Sequence, residues 1–315
     1  MLQRLRARLT RWRQPPASAQ TVSRRIARIE KDLHALTVTL TEQHDELSRQ
    51  LRQLHAGLDG LVRAAYFEPS ALPYPQRLTA ARFRLHSQNQ EDGILLALFK
   101  QIGVTTERFV ELGSGSSGGN AAMFAAEFGW AGLLVEGDAG KAGIVGRRFP
   151  HATAVCAWIT PETVNELLTE HGYAGDVDLL SVDVDGNDYW VWQAITVCSP
   201  RVVVLEYNSM FGPDRAVTIP YDPTFNRRNH RFCYFGASLA ALTTLSARKG
   251  YRLVAVEPTG INAVFLRNDV APEIPAVPPA SVYRIGDKYN ELIRRKEIDV
   301  FKWAAETGRE LITVE

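Results

Sequence analysis

The sequence has few cysteines, little net charge and no long apolar run. Its 315 residues include three cysteines, Cys156, Cys198 and Cys233. This odd number and wide spacing fit neither a disulfide framework nor paired zinc ligands, and we therefore expect a reducing, cytoplasmic setting. A formal net charge of +1 gives no general attraction to nucleic acid. Because no eighteen consecutive residues are apolar and the N-terminus lacks the apolar core of a signal peptide, we expect no membrane-spanning helix and no secretion signal.

The first residues combine basic and apolar side chains at helical spacing. Apolar residues recur three or four positions apart from Leu2 to Trp12, together with five arginines. A basic amphipathic helix of this kind can lie on an anionic membrane surface, so residues 2–13 are expected to contact the inner membrane face peripherally. The alternative is a basic tail that only keeps the chain in solution. We assign residues 1–16 to this helix and its proline-containing linker.

Residues 20–64 have the spacing of a coiled coil. Apolar residues from Val22 to Leu40, and again from Leu47 to Leu61, alternate between three and four positions apart, with one residue of phase slip between the two halves. A narrow apolar stripe sustained over more than five heptads predicts a coiled coil between copies of the chain. Leucine dominates both seam positions and leaves the choice between dimer and trimer open. The alternative is a long helix folded onto its own domain.

The remaining sequence predicts an α/β domain between a linker and a C-terminal helix. Residues 65–85 contain three prolines and are expected to be an irregular linker. Strands and helices alternate within residues 86–270, which predicts a mostly parallel sheet covered by helices on both faces. The last two predicted strands, Tyr251–Val256 and Asn262–Arg267, have no helix between them and should form an antiparallel hairpin. Residues 271–315 are Pro-rich and then helical.

The other predicted elements can be given by their ranges. The predicted strands before the hairpin are Arg108–Leu112, Gly132–Glu136, Ala152–Trp158, Val177–Val182 and Arg201–Tyr207. The predicted helices are Ser87–Ile102, Asn120–Phe128, Pro161–His171, Tyr189–Thr196, Leu239–Lys249 and a C-terminal helix near 286–306.

A glycine loop, Glu111–Asn120, connects the first predicted strand to the next helix. Gly113, Gly115 and Gly118 have the spacing of a dinucleotide-binding loop. Glu136 ends the following strand, where a carboxylate can accept hydrogen bonds from ribose hydroxyls. Since glycine lets the backbone approach a ligand closely, this spacing fits both a nicotinamide dinucleotide and S-adenosylmethionine.

Glu111 favours the cationic cofactor of the two. In a dinucleotide fold a pyrophosphate lies on the helix N-terminus at this position. A carboxylate about 4 Å away would repel it by roughly 4 kcal/mol at an effective dielectric near 20. S-adenosylmethionine carries a sulfonium and an ammonium group instead. The predicted cofactor-binding residues are Glu111, Gly113, Gly115, Asn120, Glu136 and Asp183.

Five sequence motifs together carry a family resemblance. They are Ser87–Gly93, Glu111–Asn120, Leu134–Asp138, Leu180–Trp190 and Val203–Asn208. Through them the chain, over about residues 86–268, resembles the FkbM-like branch of class I methyltransferases. The resemblance implies a Rossmann-like methyltransferase fold, S-adenosylmethionine as cofactor, and methyl transfer to oxygen, often on sugars or small natural products. Many members have Asp-x-Glu-Gly after the fourth strand, where this chain has Asp183-Val184-Asp185-Gly186.

Candidate catalytic residues follow the later strands. In an open parallel sheet the ligand lies beyond the carboxyl ends of the strands. A hydroxyl acceptor must also lose its proton during methyl transfer. Asp185, Asp183 and His230 are the candidate bases, and we favour Asp185. The alternative role of the two aspartates is to cap the following helix and to hydrogen-bond the substrate.

The same region offers a set of oxygen ligands. Asp183, Asp185, Glu206 and Asn208 could hold Mg²⁺, which would lower the pKa of an acceptor oxygen. These ligands come from two strands, so the sequence leaves the geometry open, and our principal assignment contains no metal.

A long insertion, residues 208–237, offers an acceptor site. Long loops in compact domains often bind ligands, and the basic and aromatic residues in this one could hold a sugar or an anion. The sequence thus predicts an O-methyltransferase for a glycan or small-molecule hydroxyl near the membrane. Two alternatives stay open, namely a nicotinamide-dependent oxidoreductase and a non-catalytic ligand-binding scaffold oligomerised by its coiled coil.

Overall fold

The computed structural model describes residues 19–66, 72–230, 233–286 and 299–315. The amphipathic helix predicted for residues 2–13 lies outside these ranges, as do residues 287–298 of the predicted C-terminal helix. Within the described ranges, no helix combines the length and the apolar character needed to cross a membrane.

The predicted heptad segment forms one continuous helix, α1, over Ala19–Tyr66. The phase slip in the heptads does not interrupt it. Its seam side chains from Ile29 to Leu58 are exposed, with Leu33 66% and Leu51 51% accessible. An apolar stripe of this length in contact with water is what a coiled-coil partner would cover, and the coiled coil itself stays a prediction.

The strands and helices after residue 72 alternate, as the sequence predicts. The strands are β1 (Arg108–Leu112), β2 (Ala131–Glu136), β3 (Ala152–Cys156), β4 (Gly175–Val182), β5 (Cys198–Glu206), β6 (Val217–Thr218), β7 (Tyr251–Val256), β8 (Asn262–Arg267) and β9 (Ile312–Thr313). The α-helices are α2 (Gln76–Ala80), α3 (Glu91–Ile102), α4 (Ala122–Glu127), α5 (Ala139–Arg148), α6 (Val164–Glu170), α7 (Asp188–Ala194), α8 (Leu239–Arg248), α9 (Pro279–Val282) and α10 (Val300–Glu306).

The described residues form a seven-stranded sheet of order β3-β2-β1-β4-β5-β8-β7. The first five strands in this order are parallel, whereas β8 runs antiparallel to both β5 and β7. The mostly parallel sheet and its terminal antiparallel hairpin are therefore confirmed. The order reverses at β1, beside β4, and ligands of open α/β sheets bind at such a switch point.

The sheet is buried on both faces because successive side chains point to opposite sides. Phe109 belongs to one apolar cluster and Val110 to the other, and Leu179 and Leu180 divide in the same way. All four side chains are fully buried. Residues of the insertion form a third cluster with α10, separate from the two clusters at the sheet.

Several predicted boundaries are wrong. The helix predicted from Ser87 begins at Glu91, because the Asp92 carboxylate accepts hydrogen bonds from the N–H groups of residues 85, 86 and 87 and holds them in a turn. The strand predicted to reach Trp158 ends at Cys156. Helix α5 was not predicted, since it buries only Ala142 and Val145 and includes three glycines.

The flanking segments also differ from expectation. Residues 65–85 are not irregular throughout, because α2 covers Gln76–Ala80 and the side chains of Leu78 and Phe83 are buried in a sheet cluster. The C-terminal helix predicted near 286–306 is not continuous. Asp299 is extended and its side chain caps the N–H groups of residues 301 and 302, so α10 begins at Val300.

Candidate functional site

A cavity of 1380 Å³ opens at the carboxyl ends of the parallel strands. The lining includes the predicted site residues Gly113, Gly115, Glu136, Asp183, Asp185, Glu206 and His230. The lining does not include Glu111, Asn120 or Asn208. The fold therefore brings most of the predicted site together and places three predicted residues behind its wall.

The backbone N–H groups of the glycine loop have hydrogen-bond acceptors within the protein. The N–H groups of Gly113 and Ser114 donate to the Val135 carbonyl, and that of Gly118 donates to the Ser114 carbonyl. The Gly115 N–H donates to Glu136 Oε2 at 2.8 Å. In an anion-binding loop such groups point at the ligand, whereas here they already have acceptors.

Gly113 also brings the loop against β4. Its φ is 95°, and a Cβ built there would lie 1.7 Å from the Asp183 carbonyl oxygen. A side chain at this position would therefore clash with backbone as well as strain it. The missing side chain allows the ends of β1 and β4 to meet at the floor of the cavity.

Glu111 lies beneath the loop, fully buried. Its Oε2 accepts the Ala121 N–H at 2.9 Å, at the start of the helical segment that follows the loop. A Cβ at Gly119 would lie 2.2 Å from Oε1, so glycine makes room for the carboxyl group. Burial raises the pKa of Glu111 to about 8, against the lowering effect of the Ser181 hydroxyl and the Ala121 N–H.

The position of Glu111 changes the reason it disfavours a pyrophosphate. The carboxyl group is largely uncharged at neutral pH, so charge repulsion is not the main effect. Instead it occupies the helix N-terminus, where an anion would bind. Direct contact with a cofactor, as predicted, is not provided by this placement.

Glu136 lines the cavity, and its carboxylate stabilises the backbone at Gly115 and at Asp138. Its oxygens accept the N–H groups of Gly115 and Asp138, at 2.8 and 2.9 Å. Each carboxylate oxygen has a second lone pair, so the side chain can still accept hydrogen bonds from ligand hydroxyls.

Asn120 and Asn208 have structural contacts. Asn120 donates to the Ser181 hydroxyl on β4 at 3.1 Å. Asn208 donates to the carbonyls of Cys233 and Phe235 and accepts from the Met210 N–H, which secures the insertion. Because its amide groups are engaged, Asn208 does not join the acids in front of it.

Three acids converge where β4, β5 and α7 meet. Ligand atoms of Asp183, Asp188 and Glu206 lie within 4.8 Å of one another. Burial raises the pKa of Asp183 to about 8 and that of Asp188 to about 6, and neighbouring carboxylates add to both effects. Asp188 was not among the predicted site residues, although an acid in the first turn after the Asp-Gly-Asn sequence could have indicated it. We call Asp183, Asp188 and Glu206 the acid cluster.

Arg227, from the insertion, joins this cluster to the cavity mouth. Its Nη1 lies 2.8 Å from Asp185 Oδ1 and 3.2 Å from Glu206 Oε1. The guanidinium also lies over the Phe235 ring, 3.6 Å from its centre. Asp185 itself has φ 58° and a side chain that is 72% exposed. The favoured base of the sequence prediction is therefore an exposed, ion-paired residue at the rim.

His230 stands on an aromatic stack in the same wall. Its ring is parallel to Phe225, with centres 4.6 Å apart. Phe225 in turn lies where a Cβ on Gly186 would be, at 2.3 Å. Burial and the charge of Arg309 lower the pKa of His230, against the effect of Asp222. The imidazole is thus neutral at pH 7, and no described residue hydrogen-bonds to its Nδ1.

Trp158 is a cavity residue that the sequence prediction placed inside a strand. It lies two residues beyond β3, lines the cavity and is 57% exposed. Its ring is adjacent to Gly137, and its Nε1 donates to the Pro223 carbonyl at 3.0 Å. An exposed aromatic beyond the carboxyl end of a strand offers a flat face to a ligand.

Comparisons with known proteins give a distant likeness. No protein-family model matches the sequence, and no curated protein matches it. Among solved structures, an O-methyltransferase from Bacillus cereus in complex with SAH is 14% identical, with 70% of this chain and 91% of that chain covered and a TM-score of 0.36.

Two further solved structures resemble the chain to a similar degree. The N-terminal domain of EvdMO1 with SAH bound is 14% identical, covering 57% of this chain and 82% of that one, with a TM-score of 0.39. A TehB-like SAM-dependent methyltransferase from Corynebacterium glutamicum is 13% identical, covering 55% and 86%, with a TM-score of 0.31. The FkbM-like resemblance stays an interpretation of the motifs, because similarities at this level do not identify a family.

Proposed function

We propose that the protein is an S-adenosylmethionine-dependent O-methyltransferase. The observation that carries the proposal is the glycine loop, whose N–H groups at Gly113, Ser114, Gly115 and Gly118 have acceptors within the protein. With Glu111 on the helix N-terminus, a pyrophosphate would lack its usual donors. The loop keeps the close backbone approach of a nucleoside site while favouring a ligand without phosphate.

The acids of the cavity support a cationic cofactor. Glu136, Asp138 and Asp185 line the cavity together with the cations Lys141, Arg227 and Arg228. Asp183 and Glu206 lie in the same lining, and burial raises the pKa of Asp183 to about 8 and that of Glu206 well above its usual value. A sulfonium or an ammonium group beside them would favour their ionised forms and be attracted by them, whereas the phosphates of a dinucleotide would not.

The residues present fit such a cofactor at several points. The backbone at Gly113 and Gly115 can approach the nucleoside, and Glu136 can accept hydrogen bonds from the ribose hydroxyls. Trp158 supplies a flat face for a base, and Asp183, whose backbone carbonyl lies against Gly113, belongs to the same cavity lining. When bound, S-adenosylmethionine supplies an electrophilic methyl group on a sulfonium that leaves as a neutral thioether.

His230 is the base that the geometry favours for the acceptor. A hydroxyl group must give up its proton as its oxygen bonds to the methyl carbon and the carbon–sulfur bond breaks. His230 lines the cavity, and because its pKa is lowered its ring is neutral at pH 7. Its Nδ1 is buried without a hydrogen-bond partner among the described residues, so the acceptor proton would go to the other ring nitrogen, Nε2. Asp185 is instead exposed at the rim, and its carboxylate is already paired with Arg227.

Calorimetric titration of the full chain tests the cofactor. We expect binding of S-adenosylmethionine and of its demethylated product, and no measurable binding of NAD. Glu136→Gln should weaken cofactor binding at least tenfold, whereas Glu170→Gln, at the exposed end of α6, should leave it unchanged. Binding of NAD without a response to S-adenosylmethionine would overturn the proposal.

The acceptor side supports a polar, hydroxyl-bearing substrate such as a sugar. Asn226, Arg227 and Arg228 line the cavity, next to the buried rings of Phe225 and Phe235. Polar groups of this kind suit the hydroxyls of a sugar ring, and the proposed contact of residues 2–13 with a membrane would suit a glycan acceptor there. A methylated product found by mass spectrometry after incubation with cell-envelope extract would support this, and methylation confined to proteins or nucleic acids would contradict it.

We also propose that α1 assembles copies of the chain. The support is its exposed seam, since a stripe of leucines in water is destabilising unless another apolar surface covers it. Leu40→Asp together with Leu47→Asp should convert the oligomer to a monomer in analytical ultracentrifugation. The matched pair Thr39→Asp and Ser48→Asp, one position off the seam, should not. A monomeric unsubstituted chain would refute the assembly.

A further inference from the structure

The acid cluster brings together more carboxyl groups than its protein partners can compensate. Asp183 follows β4, Asp188 begins α7, and Glu206 ends β5, so three separate elements bring their carboxylates to one point. Asp185 adds a fourth carboxylate at the rim, and Arg227 contacts it and Glu206. One guanidinium therefore faces four acids.

The hydrogen bonds in the cluster leave specific oxygens without donors. The two Asp188 oxygens accept the N–H groups of Val184 and Gly186, at 2.8 and 2.9 Å. Glu206 Oε1 has Arg227. Glu206 Oε2 is buried and receives no hydrogen bond from any described residue, on a side chain that is only 8% exposed.

Asp183 lines the cavity together with Glu206. Buried carboxylate oxygens without donors are costly unless a cation or a proton compensates them. Glu206 Oε2 is buried and has no hydrogen-bond donor among the described residues, and its side chain lines the cavity. This oxygen, in addition to the clustering of the acids, indicates that a cation binds here.

We propose that the acid cluster binds one divalent metal ion of the hard, oxygen-preferring class. Oxygen ligands lie about 2.0 to 2.6 Å from Mg²⁺ or Ca²⁺, so two ligands of one ion are at most about 5 Å apart. The ligand atoms of Asp183, Asp188 and Glu206 already lie within 4.8 Å of one another. The ion needs small side-chain movements at most.

This site differs from the set that the sequence suggested. Asn208 is left out because it offers a single uncharged oxygen, which already accepts the Met210 N–H, whereas Asp188 offers two carboxylate oxygens. Asp185 is excluded because it is exposed and paired with Arg227. Asp188 takes their place, since its oxygens keep lone pairs after accepting two N–H groups.

The ion has a role in the reaction that rests on the proposed function. Its open coordination positions would face the cavity beside Asp183 and Glu206, where the acceptor oxygen is expected. A bound divalent ion lowers the pKa of such an oxygen, so that a neutral histidine can take its proton. The ion would favour the ionised form of all four acids, and their four negative charges would then exceed the three positive charges of Arg227 and the ion. The cavity would still favour a cationic cofactor.

Manganese binding tests the site without any methyl transfer. The full chain, freed of metal with a chelator and kept without cofactor, is titrated with Mn²⁺ and followed by electron paramagnetic resonance. We expect one Mn²⁺ per chain, displaced by excess Mg²⁺ or Ca²⁺. Asp183→Asn and Glu206→Gln should each weaken binding at least tenfold. Asp138→Asn, which removes a charge elsewhere in the same cavity and keeps its helix cap, should leave binding unchanged.

The Arg227→Gln variant should bind Mn²⁺ more tightly than the unsubstituted chain does. Because Arg227 shares Glu206 with the proposed ion, its removal should tighten Mn²⁺ binding several-fold. An unchanged circular dichroism spectrum would show that the Arg227→Gln variant is folded. Tighter Mn²⁺ binding by a folded variant does not depend on whether the acid substitutions unfold the chain.

Three results would overturn the site. The first is that the unsubstituted chain does not bind Mn²⁺. The second is that Asp183→Asn and Glu206→Gln leave Mn²⁺ binding unchanged. The third is that Mn²⁺ binds only to the Arg227→Gln variant, in which case Arg227 is the cation that compensates the acids. Manganese binding by a chain that does not bind S-adenosylmethionine would leave the site in place and refute the proposed function alone.

Discussion

Replacement of Glu111 by glutamine should remove a large pH dependence of stability. Glu111 is fully buried, its Oε2 accepts the Ala121 N–H, and its pKa rises from 4.5 to about 8. The folded state therefore keeps a proton that the unfolded chain releases above pH 4.5. Stability from this group is fully present below pH 4.5 and is lost as the pH rises through about 8.

The magnitude follows from that interval. One pKa unit corresponds to about 1.4 kcal/mol, so complete ionisation of Glu111 costs about 5 kcal/mol between pH 4.5 and 8. Glutamine has nearly the same shape, keeps an oxygen for the Ala121 N–H and cannot ionise. The variant and the unsubstituted chain should be equally stable within about 1 kcal/mol at pH 5, and the variant should be the more stable by several kcal/mol above pH 8.

Guanidinium unfolding followed by tryptophan fluorescence measures this difference. Five of the six tryptophans follow residue 72, with Trp130 and Trp192 buried in the sheet clusters, and α1 contains none. Trp12 precedes α1, so the signal reports mainly on the α/β domain. Glu170→Gln is the control, and its profile should follow that of the unsubstituted chain. Parallel profiles for Glu111→Gln and the unsubstituted chain from pH 5 to 8.5 would refute the reasoning.

Three further predictions concern the base, the loop and the sheet. His230→Gln should lower kcat about 10²- to 10⁴-fold with cofactor affinity retained in calorimetry, and the unsubstituted enzyme should lose rate below pH 6.5 as the imidazole gains its proton. Gly113→Ala should lower the unfolding free energy by about 3 kcal/mol or more and abolish cofactor binding, because its Cβ would meet the Asp183 carbonyl. Arg201→Met should cost about 3 to 5 kcal/mol in guanidinium unfolding, since Arg201 is the ion-pair partner of the buried Asp178.

The periodicity of the sequence determines the sheet well. Apolar runs bounded by turns give the strands, and the lack of a helix between Tyr251–Val256 and Asn262–Arg267 gives the antiparallel hairpin. Helix α5 has no comparable signal, because two buried residues are enough to attach it to the sheet. The periodic pattern of apolar residues is clearer in an element that buries more side chains. Elements that bury few side chains, such as α5, are therefore the ones that the sequence does not predict.

The site was predicted by region and less well by residue. The position of a strand end tells which side chains approach the cavity, and Asp183, Glu136 and Glu206 lie there as expected. It does not tell which way a side chain turns. Glu111 turns inward because Gly119 leaves room for it, and Asp185 turns outward to Arg227, and both outcomes depend on contacts between distant parts of the chain.

The separate packing of the insertion has an evolutionary consequence. Its residues form a cluster with α10, and the short strands β6 and β9 pair within this layer, apart from the two clusters at the sheet. His230 and Arg227 are carried on this layer, whereas the glycine loop belongs to the sheet. Under the proposed function, substitutions in this layer would therefore change the acceptor side of the cavity and leave the glycine loop on the sheet in place. Grafting residues 208–237 together with the C-terminal helix, rather than the loop alone, is the unit of exchange that this architecture offers to protein engineering.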